Sequence, residues 1–157
     1  MVVVVHFPTI WGWMSIEYGP RGLKRITFPA PQDGRREGNC PEHISQFIAE
    51  CQRYFAGQGR GFSPIDIDID HLPPFSRRVL RECGAIPYGR VVTYKELAQR
   101  VGSPQAARAV GQVMAHNPLP ILIPCHRVIG SDGRLTGFGG GLTLKKRLLR
   151  LEGLTVD

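Results

Sequence analysis

Between Thr93 and Pro118 the chain is punctuated as two short helices separated by a tight turn. Thr93 and Glu96 stand three apart ahead of an apolar run, the spacing of a capping box. In such a box the threonine hydroxyl accepts from the Glu96 N–H and the glutamate reaches back to the cap. The helix started there runs to about Val101. Gly102-Ser103 makes the turn, with Ser103 expected to cap a second helix and Pro104 to take its first position. That helix, "PQAARAVGQVMAHN", stops at Asn117, because a residue before proline avoids the helical region. Two helices joined in this way form a helix-turn-helix.

On the second helix Gln105, Arg108 and Gln112 share one face, while Ala107, Val110 and Met114 share another suited to a core. Ala106, Ala107 and Ala109 surround Arg108. Small residues let a helix backbone approach a surface while one long cation projects from it. Gly111 in mid-helix costs about 1 kcal/mol relative to alanine, which predicts close packing at that point. A helical hairpin packed in a core, with Arg108 merely solvated, is the other reading of these residues.

Charge divides the chain in the same place. Residues 1–73 hold 7 Lys+Arg against 8 Asp+Glu, net −1, and residues 74–157 hold 13 against 5, net +8. The whole excess of the +7 chain therefore sits on the helical half, which suggests a polyanion partner, nucleic acid first. A basic surface that only solubilises is the alternative. The first half reads as strands and one helix. "WGWMSIEY" and "LKRITF" flank Gly19-Pro20-Arg21-Gly22 as a hairpin, "PAPQDGRREGNCP" is a polar loop, and Pro41–Ala56 carries Ile44, Phe47, Ile48, Cys51 and Phe55 at helical spacing. "IDIDID" (Ile65–Asp70) alternates strictly and predicts a strand with one acidic face, its carboxylates about 7 Å apart, a solvated face in preference to a metal site. "HLPPFS" reads as a linker and places the boundary at 73/74.

A chain of 157 residues buries roughly 70% of its unfolded surface and needs no staples. Cys40, Cys51, Cys83 and Cys125 contain no C-x-x-C pair and read as thiols of a reducing compartment. Cys40, His43 and Cys51 match no zinc framework, and no metal is expected. "MVVVVHFPT" lacks a basic n-region and no apolar run approaches the roughly 20 residues of a membrane span. The expectation is a cytoplasmic protein, nuclear if its source has a nucleus, with no membrane association.

Chemistry concentrates in "ILIPCHRVIG" (Ile121–Gly130). A thiolate is the nucleophilic form of cysteine, and a neighbouring histidine can lower its pKa or take its proton. Adjacent side chains of a strand point to opposite faces, so Cys125 and His126 cooperate only if "PILIP" is a buried strand that Pro124 ends in a turn. A buried structural cysteine is the competing reading. Downstream, Gly137, Gly139, Gly140 and Gly141 around Phe138 can bring bare backbone against a planar ligand. The last helix, Leu144–Glu152, ends at Gly153, and Glu152 stands in the turn where a carboxylate is disfavoured by the dipole. Orienting His126 would account for it, and so would a plain surface acid beside the basic residues of that helix.

"IPCHRVIG", with "TYKELAQRVGSPQAARAVGQVMAHNPLP" before it and "GRLTGFGGGLTLKKRLLRLEG" after it, resembles the O6-alkylguanine-DNA alkyltransferases. The likeness runs from about Ile86 to Gly153, and more loosely through "WGWMSIEY" and "RYFAGQ". It implies an α+β protein: a small N-terminal sheet-and-helix domain (1–73), architectural, and a helical, winged-helix-like domain (74–157) that binds DNA and does the chemistry, its helix-turn-helix entering the minor groove. It further implies a methylated-DNA–protein-cysteine methyltransferase that flips O6-alkylguanine, and O4-alkylthymine, out of duplex DNA. The alkyl group would pass irreversibly to Cys125. His126 would be the base acting through a water, Glu152 its orienting partner, and Asn117 the hinge between recognition helix and active-site segment. Tyr94 would crowd the target phosphate and protonate the departing guanine. Arg108 would fill the vacated stack, with Gln105, Ala106, Ala107 and Gln112 on the same DNA-facing surface. Backbone at Cys125 and Val128 would hold the guanine edge between Met114 and Phe138. Phe138 stands where many members have tyrosine, and Gly139 where some have serine, leaving Gly139 and Gly140 only backbone to offer. No cofactor is implied, the partner is double-stranded DNA containing O6-alkylguanine, and a monomer is expected. Three rivals remain open from the residues: a non-catalytic reader of alkylated bases, a winged-helix regulator, and a thiol hydrolase.

Overall fold

Three antiparallel strands open the chain, β1 (Val3–Thr9), β2 (Gly12–Gly19) and β3 (Gly22–Ile26), in the order β1-β2-β3. The computed structural model describes residues 1–31, 39–133, 138 and 140–155. Cross-strand partners Val5↔Ile16 and Phe7↔Met14 bury on one face, where Leu23 and Ile26 join them. Period-two alternation thus gives the sheet one apolar side. Helix α1 (Glu42–Phe55) covers it, burying Ile44, Phe47, Cys51, Tyr54 and Phe55 and packing against β1. The valine run near the start of the sequence falls largely in the outer strand β1.

Two expectations for this half change. "IDIDID" forms no ladder: it meets β3 at one parallel bridge, Leu23↔Ile67, with Leu23 N–H donating to Asp66 O (2.9 Å) and Asp68 N–H to Leu23 O (2.7 Å). Gly22 allows that approach, since a Cβ on it would stand 2.3 Å from Asp66 O. Alternation supplies a buried Ile69 and an outward Asp68 that pairs with Lys24 at 3.8 Å, but a strand also needs a neighbour along its length. The polar loop is largely outside the described residues, although Ala30 pairs with Trp13.

The described chain divides into Met1–Ile69 and Asp70–Asp157. The second unit contains α2 (Pro74–Gly84), β4 (Val92–Thr93), α3 (Tyr94–Arg100), α4 (Ala107–Ala115), a 3-10 turn (Cys125–Arg127), β5 (Val128–Ile129) and α5 (Leu142–Leu151). The capping box at Thr93 is present in both directions: Glu96 N–H donates to the threonine hydroxyl (3.0 Å) and Thr93 N–H to the Glu96 carboxylate (3.3 Å).

The second helix starts later than the sequence predicts. Gly102, at φ +80°, and Ser103 close α3, with Gly102 N–H donating to Gln99 O (3.0 Å) and Ser103 N–H to Ala98 O (2.9 Å). That is a Schellman ending, and it uses the Ser103 N–H. Residues 103–106 make a further turn, so α4 begins at Ala107 with Ala106 as a cap that offers no side chain. Gln105 therefore lies ahead of the helix and does not share the face of Arg108 and Gln112. Val110 and Met114 are buried as expected, and Arg108 and Gln112 are exposed. Gly111 is not forced by packing, because a Cβ there would meet Tyr94 Cε1 at 3.9 Å, an ordinary contact.

Candidate active site

"PILIP" is buried but is not a strand. Ile121 adopts φ +77°, costly for a β-branched residue, and Pro120 bridges to Ile123 within a tight reversal. Asn117 holds the reversal from both sides: its Nδ2 donates to Ile123 O (2.8 Å) and its Oδ1 accepts from Leu119 N–H (3.0 Å). Cys125 N–H also donates to Ile123 O, at 2.7 Å. An amide side chain thus fixes the peptide that leads into the thiol.

Pro124 ends this segment and the 3-10 turn begins at Cys125, with Arg127 N–H donating to Pro124 O (2.9 Å). The turn changes which side chains can meet. His126 and Arg127, which a strand would separate, both reach Glu152 at the C-terminal cap of α5. His126 Nε2 lies 2.6 Å from Glu152 Oε2, while Arg127 donates from Nε to Oε1 (2.8 Å) and from its terminal Nη2 to Oε2 (3.0 Å). Gly89 N–H adds a bond to Oε1 (3.0 Å), and Arg127 donates through Nη1 to Ile86 O (2.6 Å). Tyr88 lies against the guanidinium, 5.8 Å from ring centre to Cζ. Glu152 is therefore an interior acid, which removes the surface reading.

Burial alone would raise the Glu152 pKa. The hydrogen bonds from His126 and Arg127, with the Gly89 N–H, outweigh it and hold the group at about 2. Burial pushes His126 the other way, below the ordinary imidazole range, against the pull of Glu152. The contact is thus a neutral imidazole donating from Nε2 to an ionised carboxylate whose charge Arg127 already balances. Burial raises the Cys125 thiol, only 4% exposed, while the Asn117 side chain and Lys145 work to lower it. At rest the site holds a thiol in a dry setting, with the means to form a thiolate when a substrate arrives.

Lys145 is the residue the sequence reading missed. It is fully buried on α5, donates from Nζ to Val128 O (2.6 Å), and stands 5.7 Å from the Tyr94 ring centre and 5.9 Å from that of Phe138. Burial lowers its pKa to about 8, against the pull of Cys125 and Cys83. Arg127, Gly89 and Tyr88 were missed as well. A signal was available for Lys145: with Leu148, Leu149 and Glu152 it recurs at helical spacing, which puts a cation on a buried stripe.

The remaining expected residues fall in two groups. Tyr94, Ala107, Arg108 and Gln112 line one groove of about 520 Å³, together with Lys95, Gly111, Ala115, Gly130 and Ser131, which were not expected there. Gln105 and Ala106 stand outside that lining, in the turn before α4. Met114 and Val128 are buried, Phe138 is half-buried beside Lys145, and Gly140 is exposed. Gly139 lies outside the described residues. Val128 pairs in parallel with Val92, and its carbonyl already accepts from Lys145. All four cysteines are free, and among the described residues no group of His, Cys, Asp and Glu could hold a metal ion. Among the same residues no helix is long and apolar enough to cross a membrane.

A sequence profile of the 6-O-methylguanine DNA methyltransferase DNA-binding domain matches residues 74–154, more than half of the chain. The chain belongs to the 6-O-methylguanine DNA methyltransferase family. A methylated-DNA–protein-cysteine methyltransferase of Mycolicibacterium paratuberculosis is 46% identical over 113 residues, 71% of this chain and 67% of the relative. One from Methanosarcina acetivorans is 39% identical over 142 residues, 84% and 86% of the two chains. Among solved structures, Mycobacterium tuberculosis O6-methylguanine methyltransferase superposes with a TM-score of 0.80 at 32% identity, covering 100% of this chain and 97% of that one. The OGT of the same organism in complex with DNA gives 0.79 at 33% identity, covering 96% and 92%. This family member is thus an α+β protein with a small sheet unit and a helical unit, as its sequence implies.

Proposed function

We propose that this chain repairs DNA by direct reversal, moving the alkyl group of O6-alkylguanine to the sulfur of Cys125 once per molecule. The observation that carries the reading is the buried thiol beside a neutral imidazole fixed by a carboxylate, with Arg108 exposed on a helix of the same unit. Cys125 Sγ attacks the alkyl carbon and the C–O6 bond breaks, its electron pair leaving with the guanine. The thiol proton passes to His126 through a water, and Tyr94 supplies a proton to the departing base, so charge balances. Lys145 favours the transient thiolate. Because Cys125 is buried, the nucleotide must leave its stack to reach it, at a cost of a few kcal/mol. Groove-lining Arg108 occupies the space left behind, and its planar guanidinium can stack where a lysine cannot. Residues 1–73 serve as architecture and the protein acts in the cytoplasm.

A thioether is a poor leaving group, so turnover ends after one event. Incubation with duplex DNA carrying labelled O6-methylguanine should give a plateau near one methyl per molecule, found by mass spectrometry on the Cys125 peptide. A plateau far above one would indicate hydrolytic turnover.

Arg108→Ala tests insertion. It should slow repair in duplex DNA about tenfold or more, equivalent to about 1.4 kcal/mol. Reaction with free O6-benzylguanine should hardly change, and the penalty should shrink in single strands. Lysines and arginines that contact phosphates instead contribute about 0.9 each to the salt slope. Equal losses on duplex and free base would place Arg108 in the fold rather than the stack.

A further inference from the structure

A buried carboxylate needs one compensating cation, and Glu152 has two candidates on adjacent residues. Arg127 is always charged, and its fork makes two hydrogen bonds, one to each carboxylate oxygen. A second cation on His126 would give the cluster a net positive charge, with the Lys145 ammonium also close by. The groups around this cluster are Cys125 and Arg127 of the turn, Lys145 and Glu152 on α5 and its cap, and Cys83 of α2. Lys145 and Arg127 are the cations, Glu152 the one carboxylate, and the two thiols are neutral at rest.

A carboxylate only accepts, so a neutral His126 donates to it from Nε2 and must carry its lone pair on Nδ1, which is buried. A base needs that lone pair. If Arg127 were absent, the carboxylate would recruit its proton from solvent through His126, and both ring nitrogens would become donors. We propose that Arg127 is a positioning residue that keeps His126 a usable base: by satisfying the charge of Glu152 with two hydrogen bonds, it leaves the imidazole neutral, in the tautomer with the Nδ1 lone pair. Its bond to Ile86 O and its contact with Tyr88 hold the fork in the orientation this requires. The inference rests on transfer to Cys125 and adds a reason for the fourth residue of Pro-Cys-His-Arg.

The test has two arms. In the wild-type protein, nitrogen-15 NMR of His126 should show a neutral ring with the proton on Nε2 across about pH 6 to 8.5. A doubly protonated ring at neutral pH would overturn the proposal without any variant. In the second arm, single-turnover methyl transfer is followed against pH for Arg127→Lys and Arg127→Gln. The glutamine variant should fall about tenfold or more below wild type at mildly acidic pH, and the deficit should narrow toward alkaline pH, where His126 loses its extra proton. Lysine should restore part of the loss. Lys145, at about 8, also titrates at the alkaline end, so the ratio of variant to wild type is the quantity to read. A deficit equal at every pH would make Arg127 a structural residue only. If neither variant folds, the wild-type spectrum still tests the neutral Nε2-protonated ring on which the proposal depends. Wild-type protein that leaves Cys125 unmethylated sinks the proposed function instead.

Discussion

Cys125→Ser is expected to abolish alkyl transfer while leaving duplex DNA affinity within about twofold. Serine is the smaller residue and leaves no clash, and the site around Cys125 is set by backbone bonds and by the Asn117 bond to Ile123 O, which do not use the thiol. A buried hydroxyl costs about 1–3 kcal/mol, less than an ordinary domain's stability of about 5–15 kcal/mol, so the variant should fold. Its chemistry is a different matter. A serine hydroxyl ionises far above neutral pH and is a weak nucleophile without strong activation. His126 and Lys145 are arranged to assist a thiol that burial has raised, not an alcohol. Transfer of labelled methyl and gel-shift affinity at fixed salt are the two measurements. Loss of DNA binding in the serine variant would mark Cys125 as structural, and residual transfer would move the acceptor to another residue.

Features legible in the sequence were those decided within a few residues. The capping box at Thr93, the Gly153 stop and the apolar stripe of α1 depend on neighbours three or four positions away, and each is where the pattern put it. The errors share a different cause. Ser103 looked like a cap for the second helix, but residues 103–106 make a separate turn and α4 begins only at Ala107. "IDIDID" has the period of a strand without a partner along its length. "PILIP" has the composition of a buried strand, yet the Asn117 side chain bends it back through an unfavourable φ at Ile121. In each case the surroundings, which the local pattern does not carry, overrode it.

The chemistry was legible to a different depth. Cys125 and His126 are adjacent, so the motif announced them together. Glu152 was suspected because an acid at a helix C-terminus needs a reason, and the reason is an interior network. Gly89 and Glu152 are 63 positions apart, a separation no periodicity reveals. Lys145 is harder still: a lysine on a helix reads as solvent-facing until the stripe it shares with Leu148 and Leu149 is seen to be buried. Its ammonium is tied to the Val128 carbonyl and stands near the rings of Tyr94 and Phe138. Tyr94 thereby belongs both to the groove and to the surroundings of the Lys145 ammonium.

Glu152→Gln should produce the largest loss of stability of any single change in this site. The carboxylate is the shared acceptor for Arg127, His126 and Gly89 N–H, and its side chain is wholly buried. Removing its charge leaves the Arg127 cation buried without its counter-charge, for which about 3–5 kcal/mol is expected, visible as a fall in Tm of about 10 °C. The acid response carries a definite sign. Glu152 is held near 2 in the folded protein against an ordinary 4.5, so its stabilisation is complete above about 4.5 and is lost as pH falls toward about 2. That linkage is worth about 3 kcal/mol at most. Wild type should therefore lose stability steeply between those pH values in denaturant titrations, and Glu152→Gln should be flatter across the same window. Transfer should fall in parallel with the His126→Ala variant, and the double variant should be little worse than either, because base and orienting acid act as one unit. Additive losses, or an acid response unchanged by the glutamine, would show that Glu152 braces the fold without orienting the base.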